Sequence, residues 1–178
     1  WRLIESYNVN SADGILFTCE EECRLARGTF GPYKPKKECV VGLGLEEPPA
    51  YIDAMRTAFL QKCPEVSTHP YILFLSRIHE KKGVDLLVKA YSKIRANRSG
   101  DTLPKLVIAG PGIETGFGEQ IKKLVISEKL TNDVFLIGMV GGNEKWGAFY
   151  GCESFVLPSH QENFGIAVVE SLACGRPV

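Results

Sequence analysis

The chain has 178 residues, of which 44% are hydrophobic and 24% are charged, and its formal net charge at pH 7 is zero. This composition is typical of a globular protein with one or two domains and excludes a disordered chain. A neutral chain lacks the basic surface that sequence-independent nucleic-acid binding requires, so we expect no nucleic-acid partner. No apolar run approaches the roughly 20 residues that span a bilayer.

The two ends of the chain predict a fragment of a longer protein. The chain begins at Trp1 without an initiator methionine, and it ends at Val178, shortly after Gly175, where an apolar strand is expected to begin. The alternative is a processed chain that is complete as it stands.

Six cysteines are present, and they predict reduced thiols in a cytoplasmic protein. Cys19 and Cys23 are four residues apart on a predicted helix and would share a face. No Cys-x-x-Cys pair and no histidine lies near them, so we expect no metal site there.

The first third of the chain predicts a strand and a helix, followed by a linker. Thr18-x-x-Glu21 has the form of a capping box, which favours a helix directly after an apolar strand. A Glu-Glu-Pro-Pro break follows. The elements predicted here are strands at 14–17 and 39–41 and helices from about 18 to 26 and from 51 to 62.

From residue 71 onward, continuous apolar strands alternate with amphipathic helices. Residues 71–75 are apolar on both faces, which is typical of a buried parallel strand. The alternation predicts an α/β fold, a Rossmann-like parallel sheet with helices on both faces. We assign 1–48 to the tail of one α/β domain with its linker and 49–178 to a second domain, incomplete at its C-terminus. The further predicted elements are strands at 106–109, 134–137 and 155–157, and helices around 86–94, 121–125, 144–150 and 164–173.

Two polar segments are predicted to face one crevice. The four strands of the second domain are numbered here along the chain. If they form a doubly wound sheet of order 3-2-1-4, the first and fourth strands are neighbours. Residues 76–83 follow the first strand, and residues 159–165 follow the fourth. The carboxyl ends of both strands therefore bring the two segments together.

The first segment carries chemistry that suits a diphosphate. Arg77 offers a planar fork of donors and Lys82 a point charge, and Gly83 permits a tight turn into the next helix. The alternative is a solvated charged loop.

The second segment supplies a helix start and two carboxylates. The free backbone N–H groups of such a start bind anions, and Gly165 lets a ligand approach closely. Glu162 and Glu170 would repel a diphosphate, so they must bind neighbouring hydroxyls instead. A diphosphate with a hydroxyl-bearing group on each side, a hexose and a ribose, is a nucleotide sugar. The alternative is an amphipathic helix with one surface glutamate.

Residues 162–178 contain a Glu-x7-Glu pattern, Glu162 to Glu170, followed by an Ala-x-Gly-x-Pro-Val ending. Together with the segments at 75–78, 82–87, 109–112 and 155–159, this sequence resembles the group 1 glycosyltransferases, a large retaining family. The resemblance extends from 71 to 178, and residues 12–25 resemble the last strand–helix unit of that family's N-terminal domain.

The resemblance implies a parent enzyme of the GT-B type, of which this chain would hold the donor-binding C-terminal domain. The enzyme would transfer a hexose-type sugar with retention from a UDP-, GDP- or ADP-linked donor, without a metal or other cofactor. Glu162 would act at the reacting centre by holding the donor sugar. The other implied donor contacts are Arg77 and Lys82 at the diphosphate, Glu170 at the ribose, Met139 and Val140 at the base, and Phe164, Gly165 and Ile166 through the backbone.

The acceptor would be a glycan, a lipid-linked saccharide or a small molecule, bound by an N-terminal domain that this chain lacks. We expect the isolated chain to bind donor weakly and to transfer nothing. The parent would be cytoplasmic, with peripheral docking on the inner face of a membrane left open. Two alternatives are a GT-B-related sugar-nucleotide epimerase and a non-catalytic α/β interaction module. A phosphorylase is disfavoured because no local signal for a pyridoxal-bearing lysine is found.

Overall fold

The computed structural model describes residues 2–97, 103–162 and 164–178. Asn163, inside the Glu162–Glu170 pattern, lies outside these ranges. The chain divides into two compact units. The first comprises the described residues of Trp1–Glu46 and Glu162–Gly165, and the second those of Glu47–Gln161 and Ile166–Val178. The assignment of 1–48 and 49–178 to two functional domains stays a prediction.

The first unit contains two helices and a two-stranded parallel sheet. Its elements in chain order are α1 (Arg2–Ser11), β1 (Ile15–Phe17), α2 (Glu20–Ala26) and β2 (Glu38–Val40). Strand β1 pairs with β2 in parallel, with Ile15 opposite Glu38. No helix was predicted at α1, because Asn8, Asn10 and Ser11 are poor helix formers and no capping pattern marks the segment.

The start of α2 corrects the predicted capping box by one residue. Cys19 is the N-cap, and its Sγ accepts a hydrogen bond from the backbone N–H of Glu22 at 3.5 Å. The Glu22 side chain bonds to the residue before the cap, because its Oε2 accepts from the N–H and the hydroxyl of Thr18, both at 2.8 Å. Glu21, the predicted partner, instead pairs with Arg24 at 2.6 Å. The helix follows the strand as predicted, with a different pair closing its first turn.

The second unit is built around a four-stranded parallel sheet. Its strands are β3 (Tyr71–Leu75), β4 (Lys105–Ala109), β5 (Val134–Gly138) and β6 (Ser154–Phe155). They lie in the order β5-β4-β3-β6, and every pairing is parallel. This is the 3-2-1-4 order predicted from the alternating pattern. The helices of this unit are α3 (Asp53–Lys62), α4 (Val84–Asn97), α5 (Gly116–Ser127), α6 (Gly142–Gly151) and α7 (Ile166–Ala173).

Helices cover both faces of this sheet, and each face has its own apolar cluster. Leu73 and Phe74, neighbours on β3, are both fully buried and point to opposite faces. Leu73 belongs to a cluster with Phe59 of α3 and Phe149 of α6. Phe74 belongs to a second cluster on the other face, with residues of α4 and α5. Because the sheet is covered on both sides, successive residues of its central strands must all be apolar.

The last helix begins two residues later than predicted. Helix α7 starts at Ile166, and Gly165 precedes it with φ +73°, a left-handed conformation outside the helix. Phe164 and Gly165 thus form the approach to the helix rather than its first turn. No helix in the described part of the chain combines the length and the apolar character needed to cross a membrane.

Candidate functional site

The loops that follow β3 and β6 lie side by side at the carboxyl end of the sheet. The backbone N–H of His160 donates to the carbonyl of Lys81 at 2.9 Å. Gly83 is in the left-handed region with φ +67°, and a Cβ there would lie 2.1 Å from the carbonyl oxygen of Pro158. Residues 76–83 of the first polar segment and residues 159–161 of the second therefore lie together, as the strand order predicted.

The loop after β4 supports the segment that carries Arg77. The N–H of Ile78 donates to the carbonyl of Pro111 at 2.8 Å. Gly110 lies so close to this segment that a Cβ at that position would be 1.9 Å from the carbonyl oxygen of Ser76. The backbone on both sides of Arg77, at Ser76 and at Ile78, is thus in contact with the loop after β4.

The two predicted cations differ in their surroundings. Arg77 is exposed, and within the described residues its side chain forms no hydrogen bond or ion pair, so it is available to a ligand. Lys82 is half-buried and ends the 3₁₀ turn Glu80–Lys82. The Nδ1 atom of His79 accepts a hydrogen bond from the N–H of Lys81 at 3.2 Å and so fixes the start of this turn. A lone histidine in a loop gives no sequence signal of such a capping role.

Glu170 forms an ion pair that the sequence did not reveal. Its Oε1 lies 2.5 Å from Nζ of Lys145, and the two side chains are 15% and 25% exposed. The same Nζ lies 4.5 Å from the centroid of the Trp146 ring. Lys145 is on α6 and Glu170 on α7, so no local spacing could have indicated the contact.

Met139 and Val140 follow β5 directly. Met139 is 63% exposed. Val140 packs against the apolar cluster that contains Phe149. The strand end is held by a hydrogen bond from the N–H of Gly110 to the carbonyl of Gly138 at 2.7 Å. Of the pair, Met139 is the side chain that is open to a ligand, and the role of both at a base stays a prediction.

Glu162, Phe164 and Gly165 belong to the first unit, whereas the other candidate residues belong to the second. Glu162 is exposed, Phe164 is half-buried and Gly165 is buried. The side chain of Ile166, at the first position of α7, is 44% exposed. The donor-binding roles of these four residues stay predictions.

Two cavities of the second unit lie at the opposite, amino end of its sheet. The first, of about 370 Å³, is lined by Tyr51, Arg56 and Arg176 among others. The second, of about 390 Å³, is lined by Arg56 and by Tyr71, the first residue of β3. In the ranges 2–97, 103–162 and 164–178, no three His, Cys, Asp or Glu side chains group closely enough to hold a metal ion.

A parallel sheet with helices on both faces and polar loops at the carboxyl ends of its central strands defines a Rossmann-like α/β domain, which confirms the predicted fold class. Residues 55–178 match the model of the glycosyl transferases group 1. Because this match covers more than half of the chain, the chain belongs to the group 1 glycosyltransferase family.

Three similar proteins illustrate the relationship. An uncharacterized glycosyltransferase of Methanocaldococcus jannaschii, MJ1607, is 32% identical over 107 residues, which are 60% of this chain and 26% of the relative. A D-inositol 3-phosphate glycosyltransferase of Kineococcus radiotolerans is 27% identical over 98% of this chain and 40% of its own length. The crystal structure of Anabaena HepE in complex with UDP-glucose superimposes with a TM-score of 0.76 at 15% identity, over 99% of this chain and 47% of that one. The chain thus spans a quarter to two fifths of the length of these two curated relatives.

Proposed function

We propose that this chain is the donor-binding part of a retaining glycosyltransferase. The observation that carries the proposal is the contact between the loops after β3 and β6, which brings the segments ending at Gly83 and at Gln161 together at the carboxyl end of the sheet. In open α/β sheets, ligands bind in the crevice at this end, where the strand order reverses. Membership of the group 1 family supports the same assignment.

The diphosphate of the donor would bind to Arg77 and Lys82. The Arg77 guanidinium is exposed and unpaired within the described residues, and it matches a phosphate through two parallel hydrogen bonds. Lys82 adds a second positive charge five residues later, beside the glycine that contacts Pro158. Two cations on one loop favour a ligand with more than one negative charge.

The parts of the donor on either side of the diphosphate would bind to carboxylates and to the backbone. Glu170 would accept hydrogen bonds from the ribose hydroxyls, and Glu162 would hold the hydroxyls of the donor sugar at the reacting centre. Met139 and Val140 would lie beside the base. Phe164, Gly165 and Ile166 would offer backbone contacts to the sugar or the phosphate.

Transfer would proceed with retention of configuration at the sugar carbon. As the bond between the sugar and the diphosphate breaks, negative charge grows on the leaving phosphate. Arg77, Lys82 and the N-terminus of α7 would stabilise that charge, which is the main catalytic contribution of this part of the enzyme. No metal or further cofactor is assigned a role in this step.

A UDP-linked hexose is the first donor to test, because the HepE structure was solved with UDP-glucose. GDP- and ADP-linked sugars remain the alternatives. In the whole protein the acceptor would be a glycan, a lipid-linked saccharide or a small molecule, bound outside this chain. The whole protein would act in the cytoplasm.

The experiment is a titration of the 178-residue chain with UDP, GDP and ADP and their glucose conjugates, followed by calorimetry or NMR. Arg77→Gln should weaken binding of the preferred nucleoside diphosphate about tenfold, because a neutral amide replaces the charged pair of donors, and should leave the free nucleoside unaffected. Arg56→Gln is the matched control, because Arg56 lines the cavities at the amino end of the sheet. The proposal fails if no nucleoside diphosphate binds, or if the two variants weaken binding equally.

A further inference from the structure

Lys145 contacts Glu170, the carboxylate proposed above to bind the ribose of the donor. We propose that Lys145 is a positioning residue, which holds the Glu170 carboxylate in the orientation that accepts hydrogen bonds from the two ribose hydroxyls. This inference rests on the proposed function, since it concerns how that site tells ribose from deoxyribose.

The geometry leaves Glu170 able to bind a ligand while it is paired. Lys145 donates to Oε1 at 2.5 Å, and Oε2 has no partner within the described residues. A carboxylate oxygen has two acceptor positions, so Oε1 also keeps one. With one oxygen anchored, the carboxylate loses much of its rotational freedom, and less entropy is lost when a ribose binds.

The lysine is itself held in place. Its Nζ sits over the ring of Trp146, which is partly buried against the apolar cluster of its face of the sheet. A cation over an aromatic face is favoured, so the side chain is restrained from both sides. Lys145 therefore presents its charge to Glu170 from a fixed position.

The pair also differs from the other lysine–carboxylate contacts of this unit's helices. Lys89–Asp85 and Lys122–Glu119 each lie on one helix, four and three residues apart, and their lysines are 53% and 38% exposed. Such pairs contribute little to stability and fix nothing beyond their own helix. Lys145–Glu170 joins α6 to α7 with a lysine that is 25% exposed. It thereby ties Glu170 to the helix that follows Met139 and Val140.

The test measures discrimination between ribose and 2′-deoxyribose. The affinity of the chain for the nucleoside diphosphate that binds best is compared with the affinity for its 2′-deoxy counterpart. The wild-type chain should prefer the ribose form about tenfold, and Glu170→Gln should lose most of that preference. Lys145→Met should reduce it to about threefold or less, and Lys145→Arg should recover part of it because an arginine still donates to the carboxylate. Lys89→Met is the control and should leave the ratio unchanged.

The ratio of the affinities for the ribose and 2′-deoxyribose forms distinguishes a positioning role of Lys145 from a merely structural one. If Lys145 only stabilises the fold, Lys145→Met lowers the unfolding midpoint and leaves the ratio intact, which overturns the inference alone. If the wild-type chain binds no nucleoside diphosphate, the proposed function and this inference both fail. Should Lys145→Met not fold, Lys145→Gln removes the charge while keeping a polar side chain, and the same ratio decides.

Discussion

The carbonyl oxygen of Pro158 lies so close to Gly83 that a Cβ atom on Gly83 would be only 2.1 Å from it. Gly83 ends the turn after β3, and Pro158 belongs to the loop after β6. Glycine is therefore required for two reasons, the left-handed φ of +67° and the close approach of another backbone. This contact fixes the distance between the loop that carries the two cations and the loop that leads toward α7.

Replacing Gly83 with alanine should destabilise the second unit and weaken donor binding together. An L-residue in the left-handed region costs about 1–2 kcal/mol, and forcing an atom into a packed contact adds a similar amount, so we expect a loss of about 3 kcal/mol. Urea unfolding and a nucleoside diphosphate titration on the same sample measure the two effects.

Gly175→Ala is the matched control for that variant. Gly175 has φ +72°, but among the described residues no neighbouring atom lies within 4 Å of the position that a Cβ would take. Only the cost of the left-handed backbone remains there, about 1–2 kcal/mol. Equal losses for the two alanine variants would show that the contact with Pro158 contributes nothing.

The carboxylate of Asp133 should make the second unit sensitive to acid. Burial alone would raise its pKa, but Lys105 at 2.7 Å and Arg95 at 3.2 Å outweigh that effect, and the pKa of Asp133 is lowered. Stability from this group is present above the unfolded pKa of about 3.9 and is lost as the pH falls through the folded value.

Asp133→Asn should therefore lower the free energy of unfolding by about 2 kcal/mol at pH 7, because Lys105 and Arg95 both lose a charged contact. Between about pH 5 and pH 3 the variant should lose less stability than the wild type, as followed by urea unfolding. Glu119→Gln, which removes an exposed ion pair with Lys122, is the control and should change little. A variant as acid-sensitive as the wild type would contradict this assignment.

Two buried thiols should make the second unit sensitive to alkali. Burial raises the pKa of Cys63 to about 12 and that of Cys152 to about 11. In the unfolded chain a thiol ionises at about pH 8.5, so above that pH the unfolded state loses protons that the folded state keeps. Stability is then fully present below about pH 8.5 and falls as the pH rises toward about 11.

Cys152→Ala should reduce the slope of the unfolding free energy against pH between about 9 and 10.5, whatever its effect at neutral pH. Cys39→Ala is the control, because Cys39 is only half-buried on β2. An unchanged slope for Cys152→Ala would show that this thiol does not contribute to the alkaline loss.

The topology of the second unit could be predicted because its signals are local. The apolar run 71–75 required burial on both faces, and Leu73 and Phe74 do enter separate clusters. The alternation of such runs with helices indicated a doubly wound sheet, and the 3-2-1-4 order expected for such a sheet is found. The family resemblance from 71 onward is confirmed by the match over 55–178.

What could not be predicted depends on contacts between distant residues or on one backbone angle. Lys145 and Glu170 are separated by 25 positions and meet only because α6 and α7 are neighbours. The predicted start of α7 was too early because Phe164 suits the apolar face of the helix. The left-handed φ of Gly165 keeps Phe164 and Gly165 out of the helix, which begins at Ile166. Helix α1 has helix formers only in its first half, and Asn8, Asn10 and Ser11 in its second half gave no helical pattern.

The proposed donor site requires a nucleoside diphosphate to bind at the carboxyl end of the β3–β6 pair. The most direct measurement is a map of backbone amide chemical shifts of the isotopically labelled chain during titration with UDP, GDP and ADP. We expect one of these nucleotides to shift the amides of 77–83, 139–140 and 166–170. Shifts confined to Arg56, Tyr71 and their neighbours at the amino end of the sheet, or no shifts at all, would contradict it.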